Sequence, residues 1–162
     1  MTNKYRAGDS QVDKLIVLGL GLLGASICAA AKKLGLANEI IGISRRQSTI
    51  EIAHAKEIID KSSDSLATLT GNFGEDDLLV LAVPTLAMKS ILSECQEHVP
   101  PSVTITDVAS VKTKIIEFAE QVYGVIPKNF VPGHPIAGSE KSGINAANPD
   151  LFKNHKVVLT PK

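Results

Sequence analysis

Three glycines near the N-terminus are spaced so that the backbone around them could hold a pyrophosphate. Gly19, Gly21 and Gly24 form the pattern Gly-x-Gly-x-x-Gly between the apolar run Lys14–Leu18 and an alanine-rich segment. This order predicts a strand, a tight turn and a helix whose first N–H groups and positive dipole end attract phosphates. Structural turns also collect glycines, but the flanking strand and helix favour a dinucleotide site.

The residues after the second apolar run, Glu39–Ile43, bear on which dinucleotide binds. Enzymes that bind NAD usually carry an acidic side chain here, about 20 residues past the glycines, to hold the ribose hydroxyls. Ser44, Arg45 and Arg46 stand here instead, and a hydroxyl with two guanidinium groups suits a phosphate dianion. The alternative is two solvated surface arginines. The pattern favours NADP over NAD.

A third group of polar residues follows the strand predicted over Val103–Thr106. Asp107 ends that strand, and Ser110 stands just before a predicted helix. The carboxyl ends of strands in an open α/β sheet border the ligand crevice, so Ser110 could exchange hydrogen bonds with a bound hydroxyl. A second interpretation, equally open, is that Ser110 caps the helix.

A histidine held between glycine and proline forms the fourth group. His134 follows Gly133 and precedes Pro135, and the stretch after it as far as Gly143 is rich in small residues. This context predicts a loop after a strand, at the ligand edge of the sheet. Because imidazole can accept a proton near neutral pH, His134 is a candidate general base. The remaining histidines lie in polar stretches and are predicted surface residues: His54, His98 and His155.

Strands and helices must alternate along the chain to bring these groups together. Beyond the segments already named, strands are predicted over 78–83, 130–131 and 157–159, and helices over 22–34, 48–56, 85–95 and 111–123. Ser48 and Glu51 have the spacing of a capping box. The alternation predicts an α/β fold with a doubly wound, mainly parallel, Rossmann-type sheet. We expect a flexible arm over residues 1–13 and a single dinucleotide-binding domain over residues 14–162.

Composition excludes several classes of partner. The 162 residues include 17 basic and 17 acidic side chains, for a net charge of zero. Such a chain has no bulk field for nucleic acid or an anionic membrane. The N-terminus has no apolar signal core and no apolar run is long enough to span a bilayer, so a cytoplasmic location is expected. Cys28 and Cys95 lack metal-ligand spacing, so no metal site is predicted.

Five motifs follow one another along the chain. They are Gly19-x-Gly21-x-x-Gly24, Leu81-Ala82-Val83-Pro84, Asp107-x-x-Ser110-Val111-Lys112, Gly133-His134-Pro135-Ile136-x-Gly138-Ser139-Glu140-x-Ser142-Gly143 and Leu159-Thr160-Pro161. Together they resemble the prephenate/arogenate dehydrogenase family over nearly the whole chain after residue 13. Many dehydrogenases share the first motif, whereas the last two are specific in this order.

The resemblance implies an oxidative decarboxylation in tyrosine biosynthesis, with prephenate or arogenate as substrate. Hydride leaves a hydroxyl-bearing ring carbon for the nicotinamide, carbon dioxide departs and the ring becomes aromatic. His134 matches the family histidine that takes the hydroxyl proton, and Ser110 matches the serine that hydrogen-bonds near that hydroxyl and the nicotinamide. The family also has a helical domain that forms a homodimer and binds the substrate carboxylates. Nothing in these 162 residues corresponds to that domain, so we expect the cofactor-binding domain of a longer enzyme.

The predicted cofactor is NADP, with NAD as the alternative. The predicted cofactor contacts are Gly19, Gly21, Leu22, Leu23, Gly24, Ser44, Arg45, Arg46, Val83, Pro84, Asp107 and Ser110. Two other interpretations stay open. The chain could be an NADP-binding fragment without turnover, or another Rossmann reductase such as a β-hydroxyacid dehydrogenase, because the fold alone does not define the chemistry.

Overall fold

Six strands form one parallel sheet at the centre of the molecule. The computed structural model describes residues 12–161, and the strands of this sheet are β1 (Val12–Leu18), β2 (Ala37–Ile43), β3 (Lys61–Ser63), β4 (Leu78–Leu81), β5 (Thr104–Asp107) and β6 (Phe130–Val131). Their order is β3-β2-β1-β4-β5-β6, and every pairing is parallel. This is the Rossmann order, in which two halves run outward from a central pair. The predicted doubly wound α/β fold is confirmed.

In the described part of the chain, four helices cover the sheet, and a pair of short strands forms a separate small sheet. The helices are α1 (Leu22–Leu34), α2 (Gln47–Ala55), α3 (Met88–His98) and α4 (Lys112–Tyr123), with single 3-10 turns at Ala67–Leu69, Thr85–Ala87 and Ile144–Ala146. The strands β7 (Gly133–Pro135) and β8 (Val157–Leu159) pair antiparallel. Val157–Leu159 was predicted as a strand, and the structure shows that it does not join the parallel sheet.

The central strands are apolar on both faces because each face packs against a pair of helices. One layer joins Leu15 and Val17 of β1 to Ala25 and Cys28 of α1 and Ala53 of α2. The other joins Ile16 and Leu18 to Met88 and Leu92 of α3 and Ile115 of α4. Such two-sided burial explains why the strands read as continuous apolar runs in the sequence.

Local predictions differ from the structure in the N-terminal arm, at the start of α2 and at His134. Strand β1 begins at Val12, so Val12 and Asp13 belong to the sheet; the rest of the predicted arm, residues 1–11, lies outside the described residues. Helix α2 begins at Gln47 with Arg46 as N-cap and no side-chain cap, so Ser48 does not cap it. His134 lies in β7, not in a loop.

No helix within residues 12–161 is long and apolar enough to cross a membrane.

The two cysteines are free, fully buried thiols in opposite layers of the core. Burial raises the pKa of each thiol from 9.0 to about 12. The unfolded chain therefore loses these protons first as the pH rises. Their contribution to stability is complete below pH 9.0 and is lost as the pH approaches about 12.

We expect the free energy of unfolding to fall with pH over this alkaline range, by up to about 1.4 kcal/mol per pH unit for each thiol. Urea denaturation at a series of pH values measures the slope. Cys28→Ala and Cys95→Ala should each remove one thiol's contribution to this pH slope, whatever the variant's stability at neutral pH. An unchanged slope in both variants would assign the alkaline loss to other groups.

Candidate functional site

The loops that carry the candidate residues leave the sheet at one edge. Register pairs Leu18 at the end of β1 with Ile43 of β2 and Leu81 of β4, and Leu81 in turn with Asp107 of β5. These four residues end their strands in one row. The strand order reverses between β1 and β4, and ligands of open α/β sheets bind at the carboxyl edge beside such a reversal.

The glycine turn after β1 is packed tightly at two positions and open at the third. Gly19 has φ of +100°, and a Cβ built there would lie 2.4 Å from the carbonyl oxygen of Ala82. A Cβ on Gly24 would lie 1.9 Å from the carbonyl oxygen of Gly19. A Cβ on Gly21, by contrast, would meet no atom within 4 Å. The space beside Gly21 is thus open to a ligand that approaches the backbone closely.

Helix α1 presents its N-terminus to that open space. Its first i→i−4 hydrogen bond runs from Ala25 N–H to Gly21 O at 2.9 Å, so the N–H groups of Leu22, Leu23 and Gly24 precede the helical ladder. The N-cap residue Gly21 supplies no side-chain cap, and the first turn carries no acidic residue. These N–H groups and the positive end of the helix dipole suit the phosphates of a dinucleotide.

The segment after β4 packs directly on the glycine turn. Ala82 N–H donates to Leu18 O at 2.8 Å, and Val83 Cγ1 would lie 3.2 Å from a Cβ on Gly19. Pro84 is exposed and precedes the turn Thr85–Ala87. The structure therefore brings the predicted contacts Val83 and Pro84 to the same edge as the glycines.

Ser44, Arg45 and Arg46 lie where β2 ends beside β1. Ser44 is half-buried, and its Oγ accepts a hydrogen bond from Arg46 N–H at 3.2 Å. This bond closes the turn into α2 and leaves the hydroxyl hydrogen available to a ligand. Both arginines are exposed, and neither guanidinium has a partner in the described part of the chain. The guanidinium groups can therefore turn toward an anion at this edge.

Asp107 and Lys112 form a buried ion pair that the sequence analysis did not foresee. Asp107 is 1% exposed. Its Oδ2 accepts hydrogen bonds from Ala109 N–H at 2.9 Å and from Lys112 Nζ, while Oδ1 accepts from Gly133 N–H at 3.2 Å. Burial lowers the pKa of Lys112, and the hydrogen bond and charge of Asp107 oppose that shift. Protein donors thus bond both oxygens of this carboxylate, and the contact of Asp107 with a cofactor stays a prediction.

Ser110 is exposed, and within residues 12–161 its hydroxyl has no hydrogen-bond partner. Helix α4 begins after Val111 with no side-chain cap, so Ser110 does not cap it. The helix-cap interpretation of this serine is therefore wrong, and its contact with a bound hydroxyl stays a prediction.

His134 lies against the end of β5. A Cβ on the preceding Gly133 would come within 2.9 Å of Asp107 O and 3.0 Å of Thr106 Oγ1, so β7 packs closely on that strand end. The His134 ring is half-buried, and its Nδ1 is the one buried side-chain nitrogen or oxygen among the described residues without a hydrogen-bond partner. A buried polar atom left unpaired is costly, and a catalytic role is one explanation for such an atom.

The other histidines each have a hydrogen-bond partner. His54 pairs with Ser62 at 3.2 Å, His98 with Thr70 at 3.3 Å, and His155 Nδ1 with Ile136 O at 2.8 Å. His54 and His155 are exposed as predicted, whereas His98 is half-buried. No cluster of three or more metal-ligating side chains occurs in the stretch from Val12 to Pro161.

A Rossmann sheet with an open glycine turn, and with a serine and a histidine at the same edge, defines a nucleotide-binding domain of the dehydrogenase type. The family model described as prephenate dehydrogenase, nucleotide-binding domain, matches residues 27–162. The chain belongs to this family, and the interpretation as an unrelated Rossmann reductase is set aside.

Individual relatives agree with this assignment. The chain is 38% identical to a prephenate dehydrogenase of Lactococcus lactis subsp. cremoris over 148 residues. These residues are 91% of this chain and 40% of that protein. The structure of prephenate dehydrogenase from A. aeolicus in complex with hydroxyphenyl propionate and NAD+ superimposes with a TM-score of 0.84 at 30% identity, over 95% of this chain and 52% of that one. The structure of Synechocystis arogenate dehydrogenase superimposes with a TM-score of 0.79 at 37% identity, over 92% of this chain and 50% of that one. The chain thus spans two fifths of this curated relative and about half of these solved structures.

Proposed function

We infer that this chain binds NADP and serves the oxidative decarboxylation of prephenate or arogenate in tyrosine biosynthesis, as the nucleotide-binding part of a homodimeric enzyme. One observation carries the inference. Ser110 and His134 stand on two segments held by a single buried carboxylate, at the sheet edge where the glycine turn opens. The names of the relatives supply the substrate class, and the chain's own residues supply the chemistry below.

The residues at this edge divide into a binding group and a reacting group. The N–H groups of Leu22, Leu23 and Gly24 would hold the pyrophosphate, and Ser44 with the two arginines would hold the 2′-phosphate. A bound nicotinamide would supply the hydride acceptor. Positive character then develops on the substrate carbon that bears the hydroxyl. His134 relieves it by accepting the hydroxyl proton, and Ser110 orients the same hydroxyl through its free Oγ.

The cofactor preference is testable on the chain itself. Combined Arg45→Ala and Arg46→Ala replacement should weaken NADP binding by about 10- to 100-fold for each arginine that contacts the 2′-phosphate and leave NAD binding little changed, because each charge-assisted contact contributes about 1.5–3 kcal/mol. Lys56→Ala is the matched control, since this exposed cation lies at the other end of α2. Isothermal titration calorimetry with both cofactors gives the affinities. Equal affinity of the unsubstituted chain for NADP and NAD would contradict the preference.

A steady-state assay of the full-length protein with both substrates and both cofactors tests the proposed activity. We expect cofactor reduction that depends on prephenate or arogenate, with NADP preferred. Binding of NADP without substrate-dependent reduction would instead identify a cofactor-binding module without turnover.

A further inference from the structure

The Asp107–Lys112 ion pair joins three elements: the end of β5, the start of α4 and the start of β7. The Asp107 side chain is fully buried and that of Lys112 is 14% exposed. Burying two charges costs desolvation energy, and an apolar pair of similar volume is often at least as stabilising. A role in geometry therefore explains the pair better than a role in stability.

Both backbone groups of Gly133 are held by this pair. Gly133 N–H donates to Asp107 Oδ1 at 3.2 Å, and Gly133 O accepts from Lys112 Nζ at 2.5 Å. The next residue, His134, pairs with Val158 of the antiparallel strand β8. One edge of β7 is thus tied to the ion pair and the other to β8. The close approach of Gly133 to Asp107 O leaves β7 little freedom to shift.

The same carboxylate also holds the turn that carries Ser110. Asp107 Oδ2 accepts from Ala109 N–H at 2.9 Å and from Lys112 Nζ, which brackets Ser110 between two anchored residues. The positions of Ser110 and His134 relative to each other are therefore set through one buried group.

We propose that Asp107 and Lys112 are positioning residues, which hold His134 at a fixed place relative to Ser110 by clamping the backbone of Gly133. This rests on the proposed function, in which His134 accepts the substrate proton. Displacing a reacting group by about 1 Å can cost about 100-fold in rate, so the clamp acts on turnover and not on cofactor binding.

The test begins with Lys112→Met in the full-length enzyme. This change removes the bond to Gly133 O but leaves Asp107 bonded to Ala109 N–H. We expect kcat to fall by about 10- to 100-fold, with the Kd for NADP unchanged. Lys114→Met is the matched control, because Lys114 lies on the same helix in an exposed pair with Glu117 at 2.9 Å; its kcat should stay near normal.

A double-mutant cycle with His134→Asn separates positioning from a general loss of structure. In the His134→Asn background the clamp has no proton acceptor left to place, so Lys112→Met should lower kcat by less than about threefold. Equal factors in both backgrounds would overturn the positioning role and leave the proposed function intact. A near-normal kcat for His134→Asn alone would refute the proton acceptor, and the clamp's role with it.

A folding failure of Lys112→Met is covered by a second variant. The combined Asp107→Asn and Lys112→Met replacement leaves no buried charge unpaired, and it takes the place of Lys112→Met in the cycle if thermal melting shows the single variant unfolded. The same expected and overturning outcomes apply to it.

Discussion

Replacing His134 by asparagine should lower kcat by about 100- to 10,000-fold, the range for a positioned general base, while cofactor affinity stays nearly unchanged. Asparagine keeps a hydrogen-bonding side chain but cannot take the proton. The half-buried ring, with its Nδ1 unpaired, lies in β7 against the strand end that begins the Ser110 turn. Steady-state kinetics of the full-length enzyme, with calorimetry for the cofactor, measure both quantities.

Two comparisons show whether this loss belongs to the proton acceptor. Ser110→Ala should cost less, because it removes a hydrogen bond and leaves the acceptor in place. His54→Asn, at an exposed histidine that pairs with Ser62 of β3, should leave kcat near normal. If His134→Asn retained near-normal turnover and changed only the thermal stability, His134 would have no part in the mechanism.

The architecture was predictable because burial leaves a strong local pattern. Strand segments covered on both faces must be apolar, so β4 and residues 15–18 of β1 read as unbroken apolar runs. The predicted helix over 22–34 is followed directly by Gly35, which ends α1 with φ of 63° and its N–H bonded to helix carbonyls. Each of these signals lies within a few residues of the element it defines.

The start of α2 shows where two local signals compete. Ser48 and Glu51 have capping-box spacing, yet the helix already begins at Gln47. Ser44 Oγ accepts the Arg46 N–H, and this turn directs the chain into the helix one residue before the box. A sequence pattern ranks such alternatives poorly, because both satisfy a backbone N–H group at similar cost.

The site was predictable in its residue types but not in how they are held. Strand β7 has three residues, including a glycine and a proline, and pairs with β8 more than twenty residues on, so no periodicity marks it. The bond between Asp107 and Gly133 likewise spans 26 positions. The available signal was an aspartate and a lysine bracketing a serine at a strand end, and it became interpretable only once β7 was placed.

The glycine turn yields the second large effect. Gly21→Val should weaken NADP binding by about 100-fold or more, because a branched side chain beside the helix N-terminus displaces the pyrophosphate from at least two charge-assisted hydrogen bonds of about 1.5–3 kcal/mol each. The fold should persist. Gly21 has an ordinary φ of −75°, and a Cβ there meets no atom within 4 Å, so only a weaker N-cap, costing about 1 kcal/mol, separates the variant from the parent.

Gly24→Ala is the informative contrast, because a Cβ has open space at Gly21 but no space at Gly24, three residues later. Its new methyl would lie 1.9 Å from Gly19 O, so α1 must move off the turn, at a cost of about 1–3 kcal/mol or more. Thermal melting should therefore separate the variants: Gly21→Val melts near the parent and does not bind, whereas Gly24→Ala loses stability first. Normal NADP affinity in Gly21→Val, measured by calorimetry on a chain that melts normally, would place the pyrophosphate somewhere other than this turn.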